Sequence, residues 1–189
     1  VKASSPAHSP NDALPVDELA SSILTAAAQR KFREAVAYLA EAGPEDFRDR
    51  YPDLDDSFSD DGPREIDILI GVGSHPLRAT VGWCDWSGED EPGQIRDQVD
   101  RACGRLDLTR RHWDEERLQT ALESVQQRGD APPALLAEVD RQLQEVGLRL
   151  LVIDLDSDMY HFAPVSKSEF WKLDGRSGDG FRLGAVDGR

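Results

Sequence analysis

The run Leu148–Val165, LRLLVIDLDSDMYHFAPV, leaves little choice of local structure. An apolar stretch enters an acidic turn, and a second apolar and aromatic stretch returns at once. Runs joined this closely pair only as antiparallel strands, because a parallel pair needs a crossover of roughly a dozen residues. Placing Ser157 and Asp158 at the centre of a two-residue loop sets the register. Leu155 then faces Tyr160 and Ile153 faces Phe162 on the core side, while Asp154 faces His161 on the other.

The rest of the chain alternates helical stripes with strand-like runs. Pro15 opens a helix on which Val16, Leu19, Ala20, Ile23, Leu24 and Ala27 share a face. Phe32, Val36 and Leu39 extend that stripe, as one helix or two, to a stop at Gly43 and Pro44. EIDILIGV, residues 65–72, alternates with Ile66, Ile68, Ile70 and Val72 on one face, which predicts a half-buried strand. RATVGWCDW is its expected hairpin partner. Three helices follow, carrying Ile95, Val99 and Cys103, then Trp113, Leu118 and Leu122, then Leu135, Val139 and Leu143 behind Pro132 and Pro133. SKSEFWKL suggests one helical turn, and DGRSGDGFRLGAVDGR is Gly-rich. The expected fold is α+β: a single four-stranded, mainly antiparallel sheet made of two hairpins, residues 65–86 and 148–165, with helices packed on one face. Residues 1–13 are expected to be a flexible lead-in, 14–173 the domain, and 174–189 a loosely ordered tail.

Charge narrows the function classes. The 189 residues carry 37 Asp and Glu against 22 Lys and Arg, a formal net charge of -15. That balance argues against nucleic acid and anionic membranes as partners, since phosphates are held by Lys and Arg. Acid is concentrated in the Asp53–Asp61 loop, with Asp53, Asp55, Asp56, Asp60 and Asp61, and in WCDWSGEDE, with Asp85, Glu89, Asp90 and Glu91. Such a field raises the on-rate of a basic protein partner. In WCDWSGEDE alternation sends Trp83 and Trp86 to opposite faces, so one is core and the other is available as an aromatic binding anchor. Cys84 and Cys103 make no disulfide framework and fit buried free thiols in a reducing cytoplasm. VKASSPAHSPNDALP has no apolar h-region, so no secretory signal is expected. The 22 basic residues include four Lys, a bias that fits a GC-rich bacterial genome.

The acidic turn invites an enzymatic reading. A strand ending in D-x-D is where phosphoryl-transfer enzymes place a nucleophile and a magnesium ligand, but the return strand follows immediately and 31 residues remain after Asp158. A calcium loop needs Gly at its sixth position and Glu at its twelfth. Counted from Asp154 those are Met159 and Val165, and from Asp53 they are Phe58 and Arg64. GVGSHP lacks a third Gly and is followed by a strand, so it is no phosphate cradle. No cofactor and no metal are expected. The alternative is a metal-dependent hydrolase or other enzyme built on Asp154, Asp156, Asp158 and His161.

GLRLLVIDLDSDMYHFAPVSKSEF, taken with WCDWSGEDE, resembles a family of small bacterial domains of unknown function that carry a C-terminal D-x-D-S-D-x-Y hairpin. The likeness spans residues 65–172 and implies no activity. The general format, small, acidic and α+β, also resembles the immunity proteins of bacterial toxin systems. The resulting expectation is a cytoplasmic bacterial inhibitor that occludes a basic toxin or effector. Its contacts would be Asp85, Trp86, Glu89, Asp90 and Glu91, with the Asp53–Asp61 loop as a second patch.

Overall fold

A computed structural model describes residues 13–57, 62–89, 93–108 and 112–186. In chain order these form α1 (Val16–Ile23), α2 (Ala26–Arg50), α3 (Glu65–Ser74), β1 (Gly82–Asp85), α4 (Gln94–Arg105), α5 (Glu115–Glu123), α6 (Ala131–Gln144), β2 (Leu148–Asp154), β3 (Met159–Ser166), α7 (Lys167–Leu173), β4 (Ser177–Gly178) and β5 (Phe181–Gly184). The α+β class is as expected. The sheet has five strands rather than four, all antiparallel, in the order β1-β3-β2-β5-β4.

Helices cover both faces of the sheet, not one. Successive side chains on a strand point to opposite faces. Leu151, Ile153, Ala163 and Val165 enter a core with Leu19, Ile23, Phe32 and Ile68 from α1, α2 and α3. Leu148, Leu150, Phe162 and Cys84 enter a second core with Ile95, Val99, Leu136 and Val139 from α4 and α6. Each large side chain buried here contributes roughly 1.5–3 kcal/mol.

The largest departure from expectation is EIDILIGV, which is helix α3 rather than a strand. Every residue from Ile66 to Gly73 is buried, so beyond Asp67 the helix is apolar on every side and presents no polar stripe to reveal its period. Leu69 breaks the supposed alternation. Glu65 and Asp67 sit in the first turn, where acids favour a helix, and the Arg64 N–H donates to Asp67 Oδ2 at 3.0 Å. The hairpin expected over residues 65–86 therefore does not form, and β1 pairs with β3 instead. Within the Gly-rich stretch after α7 lie the short strands β4 and β5. Phe181 and Leu183 are buried, and β5 pairs with the C-terminal half of β2. In α2 the expected stop at Gly43 is a kink, with φ 84 and ψ 174, after which the helix restarts at Pro44. A left-handed φ suits Gly, and Pro suits a first helical turn. No helix among the described residues is long and apolar enough to cross a membrane.

Three strand edges are closed by groups from outside the ladder. Gln98 mimics a neighbouring strand beside β1: Trp83 N–H donates to its Oε1 at 2.7 Å, and its Nε2 donates to Trp83 O at 2.8 Å. Asp140 of α6 accepts the Leu150 N–H at 2.7 Å where β2 extends beyond β5. Leu14 N–H donates to Ser177 O on β4 at 2.8 Å.

Candidate functional site

The two stretches singled out in the sequence meet at one end of the sheet. β1 runs antiparallel to β3 with Asp85 opposite Met159. One residue on, the Trp86 N–H donates to the Asp158 carbonyl at 2.9 Å, tying the Trp86 turn to the β2–β3 turn. Asp85 Oδ1 accepts the Ser87 N–H at 2.7 Å and shapes the turn. In the β2–β3 turn Asp154 Oδ1 accepts the Asp156 N–H at 2.9 Å, and Asp156 takes a left-handed φ of 57, a conformation that Asp tolerates. The ring of Trp86 lies over Gly129, where a Cβ would stand 3.4 Å from the indole. Trp86 is nonetheless 49% exposed and Met159 38%. Asp156 and Asp158 are exposed beside them.

The other expected contact residues divide. Glu89 accepts the N–H groups of Gly93 at 2.8 Å and Ile95 at 2.7 Å, so its carboxylate caps α4. Asp53 Oδ2 stands 3.9 Å from both His75 Nε2 and Arg78 Nη2, so its charge is compensated locally. Burial and then the Arg78 guanidinium lower the His75 pKa, and Asp53 opposes them. Asp55 and Asp56 lie in the 3-10 turn Pro52–Ser57. Asp60, Asp61, Asp90 and Glu91 lie outside the described residues.

The expected Asp154–His161 pair is not present. The register is Ile153 opposite His161 and Val152 opposite Phe162, one residue away from the two-residue-loop register. The connection is longer, Leu155–Asp158, and a one-residue slip exchanges the faces. Asp154 stands 3.5 Å from Arg182 Nη2 on β5, while His161 lies on the opposite face with Ile153. Among the described residues no group of three His, Cys, Asp or Glu is arranged to hold a metal ion. A cavity of about 260 Å³ between α5 and α6 includes Arg117, whose guanidinium is held by Glu138 and Glu145 at 2.7 Å each.

His161 is 7% exposed, its Nδ1 is buried and has no hydrogen-bond partner among the described residues, and burial lowers its pKa from 6.5 to about 4 against a weaker opposing pull from Asp67. The unfolded chain therefore takes up a proton that the folded chain refuses. Stability is unaffected above pH ~6.5 and falls as pH drops toward ~4, by about 3 kcal/mol in all. Urea denaturation of the native chain and of His161→Gln across this range should show the shallower slope in the variant. Parallel slopes would refute a neutral, buried His161.

A family model described as Domain of unknown function (DUF6630) matches residues 14–179. The chain belongs to this family. The match is wider than the likeness expected over residues 65–172: it adds α1 and α2 before that stretch and β4 after it. No curated protein matches the chain, and no solved structure does. In this family member the features that sequence reasoning missed are buried charges: Asp67, Glu138, Asp140 and Arg149. Asp140 and Glu138 fall between the apolar positions of the α6 stripe, where sequence alone assigns an acid to solvent.

Proposed function

We propose that this domain is a protein-binding inhibitor whose acidic surface, centred on Trp86, docks on a basic protein. The carrying observation is the half-exposed Trp86, fixed through its backbone to the Asp158 carbonyl and flanked by Asp85, Asp156, Asp158 and the exposed Met159. An aromatic side chain held in place among charges is a typical binding anchor, and a net charge of -15 steers a cationic partner toward the protein. The format suits a cytoplasmic bacterial immunity protein that occludes the active site of a basic toxin or effector. Asp90 and Glu91 extend the acidic stretch in sequence. Asp53 and Glu89 play lesser parts in this reading, since one is locally compensated and the other caps a helix.

Capture of the partner followed by binding kinetics at two salt concentrations tests this reading. Association should slow sharply with salt while dissociation changes less. Joint replacement Asp90→Lys, Glu91→Lys and Asp158→Lys should cut the on-rate by about tenfold. Trp86→Ala should raise the off-rate by about 30-fold, the equivalent of ~2 kcal/mol. An acidic partner, or an on-rate indifferent to salt and to the triple reversal, would refute electrostatic steering. Turnover of a small molecule that is lost in Asp154→Asn/Asp156→Asn/Asp158→Asn without loss of folding would favour the enzyme alternative.

A further inference from the structure

We propose that the vacated edge of β3 binds an extended cationic peptide segment by strand addition, at a site separate from the Trp86 surface. β1 covers β3 only from Met159 to Phe162. The chain leading into β1 leaves the sheet because the Thr80 and Val81 N–H groups both donate to Gly73 O, at 2.8 and 3.1 Å. The last four residues of β3 are therefore without a strand on that side among the described residues. A groove of about 460 Å³ runs along this stretch, between α1 and the end of α4, with Pro164 and Ser166 in its floor and Leu108 in its wall.

The direction of the backbone groups follows from the ladder. Leu150 N–H points away from β3, to Asp140, so its partner Pro164 turns its own backbone away from β2. The same alternation holds for Ser166, opposite Leu148. The open edge thus offers the Pro164 C=O and, two residues on, the Ser166 N–H, one acceptor and one donor for an incoming strand, while the Ser166 C=O accepts the first bond of α7, which Ser166 caps. Pro164 is tolerated here because only an edge position dispenses with its N–H.

The field of a chain with net charge -15 favours a cationic occupant. Glu18 and Glu169 are the charged side chains lining the groove among the described residues. Each shares its carboxylate with one cation outside the lining, Arg176 at 2.5 Å and Lys172 at 2.9 Å. A segment alternating Lys with an apolar residue places ammonium groups toward the acids and aliphatic side chains toward Leu108. The other three edges described above are already closed, so an incoming strand has this one to use among the described residues.

The probe is a blocked Lys-Val-Lys-Val-Lys peptide, followed by NMR of the backbone amides and by hydrogen exchange at Ser166. Saturable binding should weaken with salt and slow Ser166 exchange by about tenfold or more. The backbone-N-methylated peptide, equal in charge but lacking donors, should bind about tenfold more weakly. Ser21→Trp, which fills the groove, and Glu18→Lys, which reverses its rim, should do the same, while Trp86→Ala should leave peptide binding unchanged. Equal binding of the two peptides, or an unprotected Ser166 amide at saturation, overturns the proposal. A dimer with Ser166 protected before peptide is added also overturns it, because a second copy then occupies the edge. If the groove variants do not fold, the comparison of the two peptides on the unaltered chain decides alone.

Discussion

Asp140→Ala should lower the unfolding free energy by about 3–5 kcal/mol, the usual cost of removing one partner from a buried ion pair. Asp140 is 6% exposed and Arg149 8%. Asp140 Oδ1 accepts from Arg149 Nε at 2.9 Å and from the Leu150 N–H at 2.7 Å. Truncation leaves a guanidinium stacked 3.8 Å from the Phe170 ring without its counter-ion, and a strand N–H without an acceptor. The double variant Asp140→Ala/Arg149→Leu removes the stranded charge and should be less destabilised than the single one, retaining chiefly the cost of the orphaned N–H, about 1–3 kcal/mol. Urea denaturation of both variants provides the measurement. A single variant within about 1 kcal/mol of the native chain would mean that Arg149 reaches water easily, and the buried-pair account would fail.

Gly82→Val should also destabilise the fold, by about 1–3 kcal/mol. A Cβ at Gly82 would lie 2.3, 2.7 and 2.9 Å from three carbons of the Phe162 ring directly across the ladder. Phe162 is fully buried and packs in one core with Cys84, Leu148 and Leu150, so displacing the ring disturbs that core. The obstruction is steric: Gly82 does not have a positive φ. Phe162→Ala should itself cost about 3–5 kcal/mol, but the double variant should be less destabilised than the sum of the two, because the new side chain enters the space the ring has left. Strict additivity would show that Gly82 and Phe162 do not compete for the same volume.

What the sequence revealed follows physical lines. Helices α4, α5 and α6 have one wet face, and their stripes are visible at helical spacing. The β2–β3 hairpin is visible because two apolar runs flank an acidic turn. Its register is not, because Asp156 in a left-handed conformation with an Asp154 side-chain bond supports a longer loop than the two-residue one. α3 is hidden for the opposite reason: buried on all sides, it needs no polar residues to mark its period. β5 is hidden by brevity, since Phe181 and Leu183 are a single i, i+2 pair in a Gly-rich stretch. At the candidate site Trp86 and the Asp154–Asp158 turn could each be picked out alone. Their juxtaposition depends on β1 pairing with β3, which a strand assignment for residues 65–72 precluded.

The closing of three strand edges by Gln98, Asp140 and the Leu14 N–H bears on how the protein behaves when crowded. An exposed strand edge is a template on which other chains add, and it is a common origin of aggregation. Here the N–H groups that would seed such growth at β1 and β2 are already satisfied by side chains anchored on α4 and α6. Those guards remain only as long as the two helices stay docked. Loss of α4 or α6 packing therefore exposes ladder groups and apolar core together, so aggregation should follow local undocking of these helices rather than wait for global unfolding.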